Sequence, residues 1–356
     1  MKILITAGGT GGHIFPSVAL IERINKDKNN EILFIGTKTR MESTLIPSMN
    51  IKFIGLTING FSKNIIKDIK NIKKIYTSYK ESLKILRDFK PDAVIGFGGY
   101  VSFPVLKASK KLGIKTYIHE QNVVPGKTNK ILSRYCNKVF TSFSESKKYF
   151  NKCNVVFSGN PCSERAHDIK TSDKTKLGFS REKKLIIIVM GSMGSSVVNE
   201  TIKEFLNTYS SSNKEILFIS GKNSGFDNSL KVPSSTKIVE FMDNLPGLMK
   251  DADLIISRAG ASTIAEILEI NIPSILVPSP YVANNHQYYN ALNLSKRNLA
   301  VLLEQKDLNS SSLIKEINNL LDNKKNYLEI KRNLEKVENT KSSSIIYDTI
   351  LKDIKE

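Results

Sequence analysis

Short apolar runs recur along the chain, each followed by a polar or glycine-bearing turn and then by a stretch with helical spacing. KILITA, EILFIG, IKFIGL, DAVIGF, KTYIHE, KVFTSF and NVVFSG form one series, and KLIIIVM, EILFIS, KIVEFM, DLIIS, PSILVP and AVLLE form a second. Near-continuous apolar strands alternating with amphipathic helices predict parallel sheets covered on both faces. Two such series in tandem predict an α/β chain of two Rossmann-like, doubly wound domains. The expected boundary lies at SGNPCSERAHD, giving domains of residues 1–161 and 162–340. The last stretch, residues 341–356, has helical apolar spacing and is expected to cross back and pack on the first domain.

Three turns of the pattern are rich in glycine: GGTGGH after the first strand, GFGGYVSFP at 96–104 and MGSMGSS at 190–196. In an open parallel sheet ligands bind beyond the carboxyl ends of the strands, where bare backbone at a helix N-terminus admits a charged group. The first spacing is neither G-x-G-x-x-G nor G-x-x-x-x-G-K-[ST], so neither generic nucleotide fingerprint applies. Two substrates meeting in an interdomain cleft is the expectation. A fourth segment, ISRAGASTIAEILEI, carries Ser262, Thr263 and Glu266 in the first turns of a helix, where hydroxyls suit a diphosphate and a carboxylate suits ribose hydroxyls. Taken alone, STIAE is equally an ordinary helix cap.

Composition narrows the class. The 356 residues are 40% hydrophobic, enough for two domains, and the longest apolar runs fall far short of the roughly 20 residues that span a bilayer. Cys136, Cys153 and Cys162 are too few and too irregular for a disulfide framework or a zinc site, which points to the cytosol. The net charge of +19 is uneven: residues 1–161 hold 27 Lys and Arg against 10 Asp and Glu, while the remainder is nearly balanced. That excess is either a solvated lysine coat or the mark of an anionic partner, nucleic acid or phospholipid. The absence of tryptophan, and of any interleaved aromatic and basic strand, argues against nucleic acid.

GGTGGHIFPSVAL, GFGGYVSFP, HEQNVVPGKTNK, SGNP, RAGASTIAE and NNHQYYNA, in this order and spacing, resemble the MurG-type GT-B glycosyltransferases of peptidoglycan synthesis over residues 1 to about 305. The resemblance implies transfer of N-acetylglucosamine from UDP-N-acetylglucosamine to a polyprenyl-diphosphate-linked N-acetylmuramoyl-pentapeptide, with inversion. It places Thr10, Gly11, Gly12 and Asn122 at the donor sugar, and Ser192 near the diphosphate. A backbone group of Met242 falls at the uracil, Ala261, Ser262, Thr263, Ile264, Ala265 and Glu266 at the phosphate and ribose, and Gln287 on the sugar hydroxyls. Gly98, Gly99 and Tyr100 fall on the acceptor side. Three positions depart from the pattern: Met193 replaces a glutamine, Phe103 a glycine, and Ser163 an arginine for which Arg165 is the nearest substitute.

The reaction needs a base for the acceptor hydroxyl and a cradle for the departing diphosphate. His13 is the first candidate base, with His119 and Glu120 as fallbacks or supports. No Asp-x-Asp metal motif is read near a donor loop, so helix N-terminus and hydroxyls at 258–266 are expected to hold the diphosphate, with no metal and no cofactor. Ile65, Ile69, Ile72, Tyr76, Tyr79, Leu83 and Leu86 share a helical stripe beside Lys63, Lys67, Lys70, Lys73 and Lys74. From Tyr79 onward the stripe is expected to face the core. Before it, Ile65, Ile66, Ile69 and the lysines are expected to dock on an anionic membrane surface from the cytoplasmic side. Another UDP-sugar enzyme, a lipid glucosyltransferase or an epimerase, and a non-catalytic nucleotide- or nucleic-acid-binding protein are the competing classes.

Overall fold

Runs such as Ile3–Ala7 and Ile32–Thr37 are buried at every position because each strand lies in a parallel sheet with helices on both faces. The computed structural model describes all residues except 59, 61–64, 192–195, 222–225, 228–229 and 339, and the side chains of 65–70 and 196–197 are likewise outside the description. It divides into two units, Met1–Glu164 with Thr340–Glu356, and Arg165–Asn339.

In the first unit β1 (Lys2–Ala7), α1 (Gly11–Ile24), β2 (Glu31–Thr37), α2 (Glu42–Ser48), β3 (Lys52–Leu56) and α3 (Ile65–Phe89) are followed by β4 (Ala93–Gly98), α4 (Ser102–Lys111), β5 (Lys115–Glu120), α5 (Lys127–Leu132), β6 (Lys138–Thr141) and β7 (Val155–Phe157). The strands form a parallel seven-stranded sheet in the order β3-β2-β1-β4-β5-β6-β7. Alternate residues of one strand serve opposite faces: Ile3 and Ile5 pack with α1 residues such as Leu20 and Ile24, whereas Leu4 packs with Leu86 and Leu106 from α3 and α4. Helix α6 (Pro161–Asp168) then carries the chain from the first unit into the second.

The second unit continues with β8 (Lys184–Val189), α7 (Ser196–Thr208), β9 (Lys214–Ile219), β10 (Thr236–Val239), α8 (Leu245–Met249), β11 (Leu254–Ser257) and α9 (Ala261–Ile270), then β12 (Ser274–Leu276), α10 (His286–Lys296), β13 (Val301–Leu302), α11 (Ser310–Leu321) and α12 (Lys324–Glu335). Its sheet has the order β10-β9-β8-β11-β12-β13, also parallel. Every expected strand is present, and both sheets are doubly wound.

The last helix, α13 (Ser342–Lys355), belongs to the first unit. Ile346, Tyr347 and Ile350 enter the core beside α1, and Asp353 accepts a hydrogen bond from Tyr117 Oη and pairs with Lys138. Ser163 explains one departure in the motif: its buried hydroxyl donates to Asn160 O at 2.9 Å and meets Ser342 Oγ at 3.1 Å, so this position faces the returning chain. Phe103 packs into the α3–α4 side of the core.

The stripe on α3 is not one face. Ile75, Tyr79, Leu83 and Leu86 pack inward, with Asn71, Ser78 and Ser82 buried among them. Ile72 and Tyr76 stand 58% and 57% exposed, with Lys80 Nζ 4.7 Å from the Tyr76 ring. Lys63 and the side chains of Ile65, Ile66, Lys67, Ile69 and Lys70 lie outside the described residues.

Candidate functional site

The order of the first sheet reverses direction at β1 and β4, and the loops that follow these two strands meet at its carboxyl edge. Gly8 N donates to Gly98 O at 3.3 Å, and Ser102 Oγ donates to the same carbonyl at 2.8 Å. The approach is so close that a methyl group on Gly99 would collide with Gly8 O, and Gly98 and Gly99 both have φ in the left-handed region, at 113° and 84°.

His13, in the first turn of α1, is wedged between these loops. Its Nδ1 lies 3.2 Å from Gly8 O and 3.5 Å from Thr10 Oγ1. A carbonyl only accepts, so Nδ1 carries the proton and the basic lone pair resides on Nε2. On that side the ring lies against Gly98, where an added Cβ would sit 3.0 Å from Nε2. Thr10 is the N-cap of α1, its side chain turned to His13 and not to a backbone N–H of the helix, and it is exposed with Gly12, while Gly11 is half-buried. Tyr100, half exposed at the tip of the second loop, lays its ring over Gly60.

The end of β5 supplies the floor. His119 is fully buried, its Nε2 donating to Gly159 O at 3.0 Å while its Nδ1 accepts from Gln121 Nε2 at 3.2 Å. Desolvation pulls its pKa down to about 4 and keeps the ring neutral. Glu120 is also buried and accepts from Asn122 N, Asn122 Nδ2, Gly126 N and Asn129 Nδ2 at 2.9–3.3 Å. Burial pushes its carboxyl upward and the four donors oppose that shift. His119 and Glu120 are thus supports beneath the loop that presents Asn122, not groups at its surface.

In the second unit β11 runs into Arg258 and Gly260, and α9 begins with no side chain capping its N-terminus. Among the described residues no side chain caps its first N–H groups, the arrangement that favours an anion. Ser262 Oγ is buried here without a hydrogen-bond partner among the described residues. Thr263 is half-buried, and Ala261, Ile264 and Ala265 pack inward. Glu266 is partly buried one turn on, and desolvation pushes its pKa up to about 7 against the pull of Arg165 from α6. The Arg165 charge is thus felt at Glu266, within the same unit.

Gln287 opens α10, and its Oε1 accepts Ser279 N at 2.9 Å, so its amide hydrogens are what it brings to a ligand. Met242 is half-buried next to exposed Phe241. Ser192 and Met193 lie outside the described residues. The pair Asp251 and Asp253 is structural: Asp251 accepts Lys174 N and Asp253 accepts Leu185 N, each at 2.8 Å, at the amino edge of the sheet.

Two supports were not picked out from sequence. Arg258 is buried, donates to Val277 O at 3.1 Å, and has its pKa lowered to about 10 by desolvation. Asn290 is fully buried and donates to Ala259 O, tying α10 to the loop before α9. A charged residue directly after the apolar run DLIIS was the available signal for Arg258.

Residues 3–141 match the glycosyltransferase family 28 N-terminal domain and residues 185–345 its C-terminal domain. A Thermoanaerobacter protein named UDP-N-acetylglucosamine–N-acetylmuramyl-(pentapeptide) pyrophosphoryl-undecaprenol N-acetylglucosamine transferase is 42% identical, covering 98% of this chain and 99% of that one. The crystal structure of MurG from Acinetobacter baumannii covers 99% of both chains with a TM-score of 0.78 and 26% identity. A UDP-GlcNAc 2-epimerase from Neisseria meningitidis bound to UDP-GlcNAc shares the fold alone, with a TM-score of 0.65 and 16% identity.

Proposed function

Since the chain belongs to glycosyltransferase family 28, we propose that it transfers N-acetylglucosamine from UDP-N-acetylglucosamine to undecaprenyl-diphosphate-linked N-acetylmuramoyl-pentapeptide, forming the disaccharide lipid precursor of peptidoglycan. His13, wedged between two glycine loops with its tautomer set by Gly8 O, most supports the chemistry assigned.

In this reading His13 Nε2 takes the proton of the acceptor hydroxyl as its oxygen attacks the anomeric carbon of the donor sugar. The C–O bond to the diphosphate breaks on the opposite face, the bonding pair leaves with UDP, and configuration inverts. The N-terminus of α9, with the hydroxyls of Ser262 and Thr263 and the Arg165 guanidinium, stabilises the departing diphosphate without reorganising. Glu266 accepts from the ribose hydroxyls, Gln287 and Asn122 hold the sugar with Thr10, Gly11 and Gly12, and a backbone group at Met242 meets the uracil. Ser192 adds a hydroxyl at the diphosphate, and Gly98, Gly99 and Tyr100 receive the acceptor. Glu120 and His119 keep the Asn122 loop in place.

No helix among the described residues is long and apolar enough to cross a membrane. The enzyme works from the cytoplasmic face as a peripheral protein, and the basic excess of residues 1–161 with the exposed Ile72 and Tyr76 supports that placement. Incubating the pure protein with UDP-N-acetylglucosamine and a short-chain acceptor analogue should release UDP only when the acceptor is present. UDP release that ignores the acceptor, or none at all, overturns the assignment.

A further inference from the structure

A cavity of about 270 Å³ lies in the second unit, beside the loop that holds Gln287. Pro278 and Pro280, which flank the Ser279 amide bonded to Gln287, form one wall, and Tyr281, Asn285 and Tyr288 continue it. Glu304, Gln305 and Lys306, after β13, form the other. Neither the donor contacts nor the base assigned above uses any of these side chains.

Four observations describe what the cavity would take. Gln305 Oε1 is buried without a hydrogen-bond partner among the described residues, and a buried acceptor left unmade costs free energy that a ligand N–H or O–H recovers. Tyr281 is 77% exposed, an aromatic face held in solvent beside a second tyrosine, which suits alkyl groups or amide planes. Glu304 and Lys306 pair at 3.4 Å at the rim and are both partly exposed, so the opening offers charges of both signs. Asn284 and Asn285 hold consecutive left-handed backbones, at φ 55° and 49°, a local strain that cavity walls retain only when the surrounding structure imposes it.

We propose that this cavity binds the peptide portion of the acceptor. A peptide brings N–H donors for Gln305, alkyl side chains for the tyrosines and charges of both signs for the rim. Bare sugar or lipid lacks at least one of these. The volume falls just below the roughly 300 to 1,000 Å³ of pockets that engulf a whole drug-sized ligand, so it takes part of the peptide rather than all of it. The assignment rests on the proposed transfer reaction, since it names the part of that acceptor which this wall recognises.

The test uses two water-soluble acceptor analogues, one with the full peptide and one cut back to the lactyl group, at saturating UDP-N-acetylglucosamine. Wild-type enzyme should favour the peptide-bearing analogue in kcat/KM by on the order of tenfold, the effect of one or two good contacts. Tyr281→Ala and Gln305→Leu should each remove most of that preference through KM. Both should leave turnover of the truncated analogue and the KM for donor unchanged. If either variant raises the donor KM, the cavity belongs to the donor sugar and the proposal falls. If the preference is absent in wild type, or survives in both variants, it falls as well. If wild type turns over neither analogue, the transfer reaction itself is what has failed.

Discussion

Glu266 titrates where cells live, and that makes its assigned role measurable. Its pKa is pushed up to about 7 by burial, with Arg165 pulling the other way. If it holds the ribose as a carboxylate, donor binding selects the ionised form, and the proton must leave before or as the ligand arrives. Affinity then follows the ionised fraction: relative to pH 9, Kd rises about twofold at pH 7 and goes on rising below it, levelling off at the weaker affinity of the protonated form. UDP-N-acetylglucosamine is the right probe because its diphosphate is esterified at both ends and does not itself titrate in this range. Glu266→Gln removes the titration. It also removes two charge-assisted hydrogen bonds, so at pH 8 it should bind about 1.5 to 3 kcal/mol more weakly, roughly 10- to 150-fold in Kd. The two curves should converge as the pH falls, since a protonated carboxyl and an amide offer the ribose similar groups. Calorimetric titrations from pH 5 to 9 measure both curves. A wild-type Kd that is flat across this range, or a variant whose curve runs parallel to wild type, refutes a carboxylate on the ribose.

His13→Ala should lower kcat by about 100-fold or more while leaving donor Kd nearly intact, and an unchanged kcat would remove it as the base. Gly98→Ala places a methyl group against His13 in a left-handed backbone, so kcat should fall with little change in donor Kd, measured by the same paired kinetics and calorimetry. The folded pKa of His119, about 4, lies below its unfolded value near 6.5, so the stability it contributes is full above 6.5 and is lost as pH falls toward 4. Denaturant unfolding should show wild type losing roughly 2 kcal/mol between pH 7 and pH 5 from this group alone, and His119→Gln should lack that component.

The strands were legible because each is an apolar run bounded by turns, and sequence alone carries that signal. What faces what was less legible. KTYIHE reads as a strand whose histidine and glutamate end near a ligand, but β5 is covered on both faces, so the same residues became buried supports with depressed and raised pKa values. On α3 the chosen stripe mixed Ile72 and Tyr76, which face solvent, with Tyr79 and Leu83, which pack. Ile75 and the small buried Ser78 and Ser82 set the true inward face, and small polar residues give no hydrophobic signal. Ser163 looked like the loss of an arginine, whereas the structure turns that position toward α13 and brings Arg165 near Glu266 two residues on. Arg258 and Asn290 act through backbone carbonyls, contacts that have no periodicity to read.

The charge of the chain is concentrated in residues 1–161, yet the diphosphate of the donor is assigned to the nearly neutral second unit. The proposed reading therefore separates two kinds of anion recognition. In the second unit the positive potential is local, built from the N-terminus of α9, buried or half-buried hydroxyls and a few guanidinium groups, and such short-range donors are little screened. In the first unit it is a field summed over many exposed lysines, which salt screens as the Debye length shrinks from about 10 Å at 0.1 M to about 3 Å at 1 M. Raising salt over that range should release the protein from vesicles rich in anionic lipid while changing the Kd for UDP-N-acetylglucosamine by only a few-fold. The apolar part of docking should be carried by the exposed pair on α3, so Ile72→Ser with Tyr76→Ser should weaken vesicle binding at low salt and leave turnover of a water-soluble acceptor unchanged. Sedimentation with anionic and neutral vesicles separates the cases. Equal binding to both, or donor affinity that falls with salt as steeply as vesicle binding does, would mean that the lysine field serves the donor site and that the two recognitions are not separate.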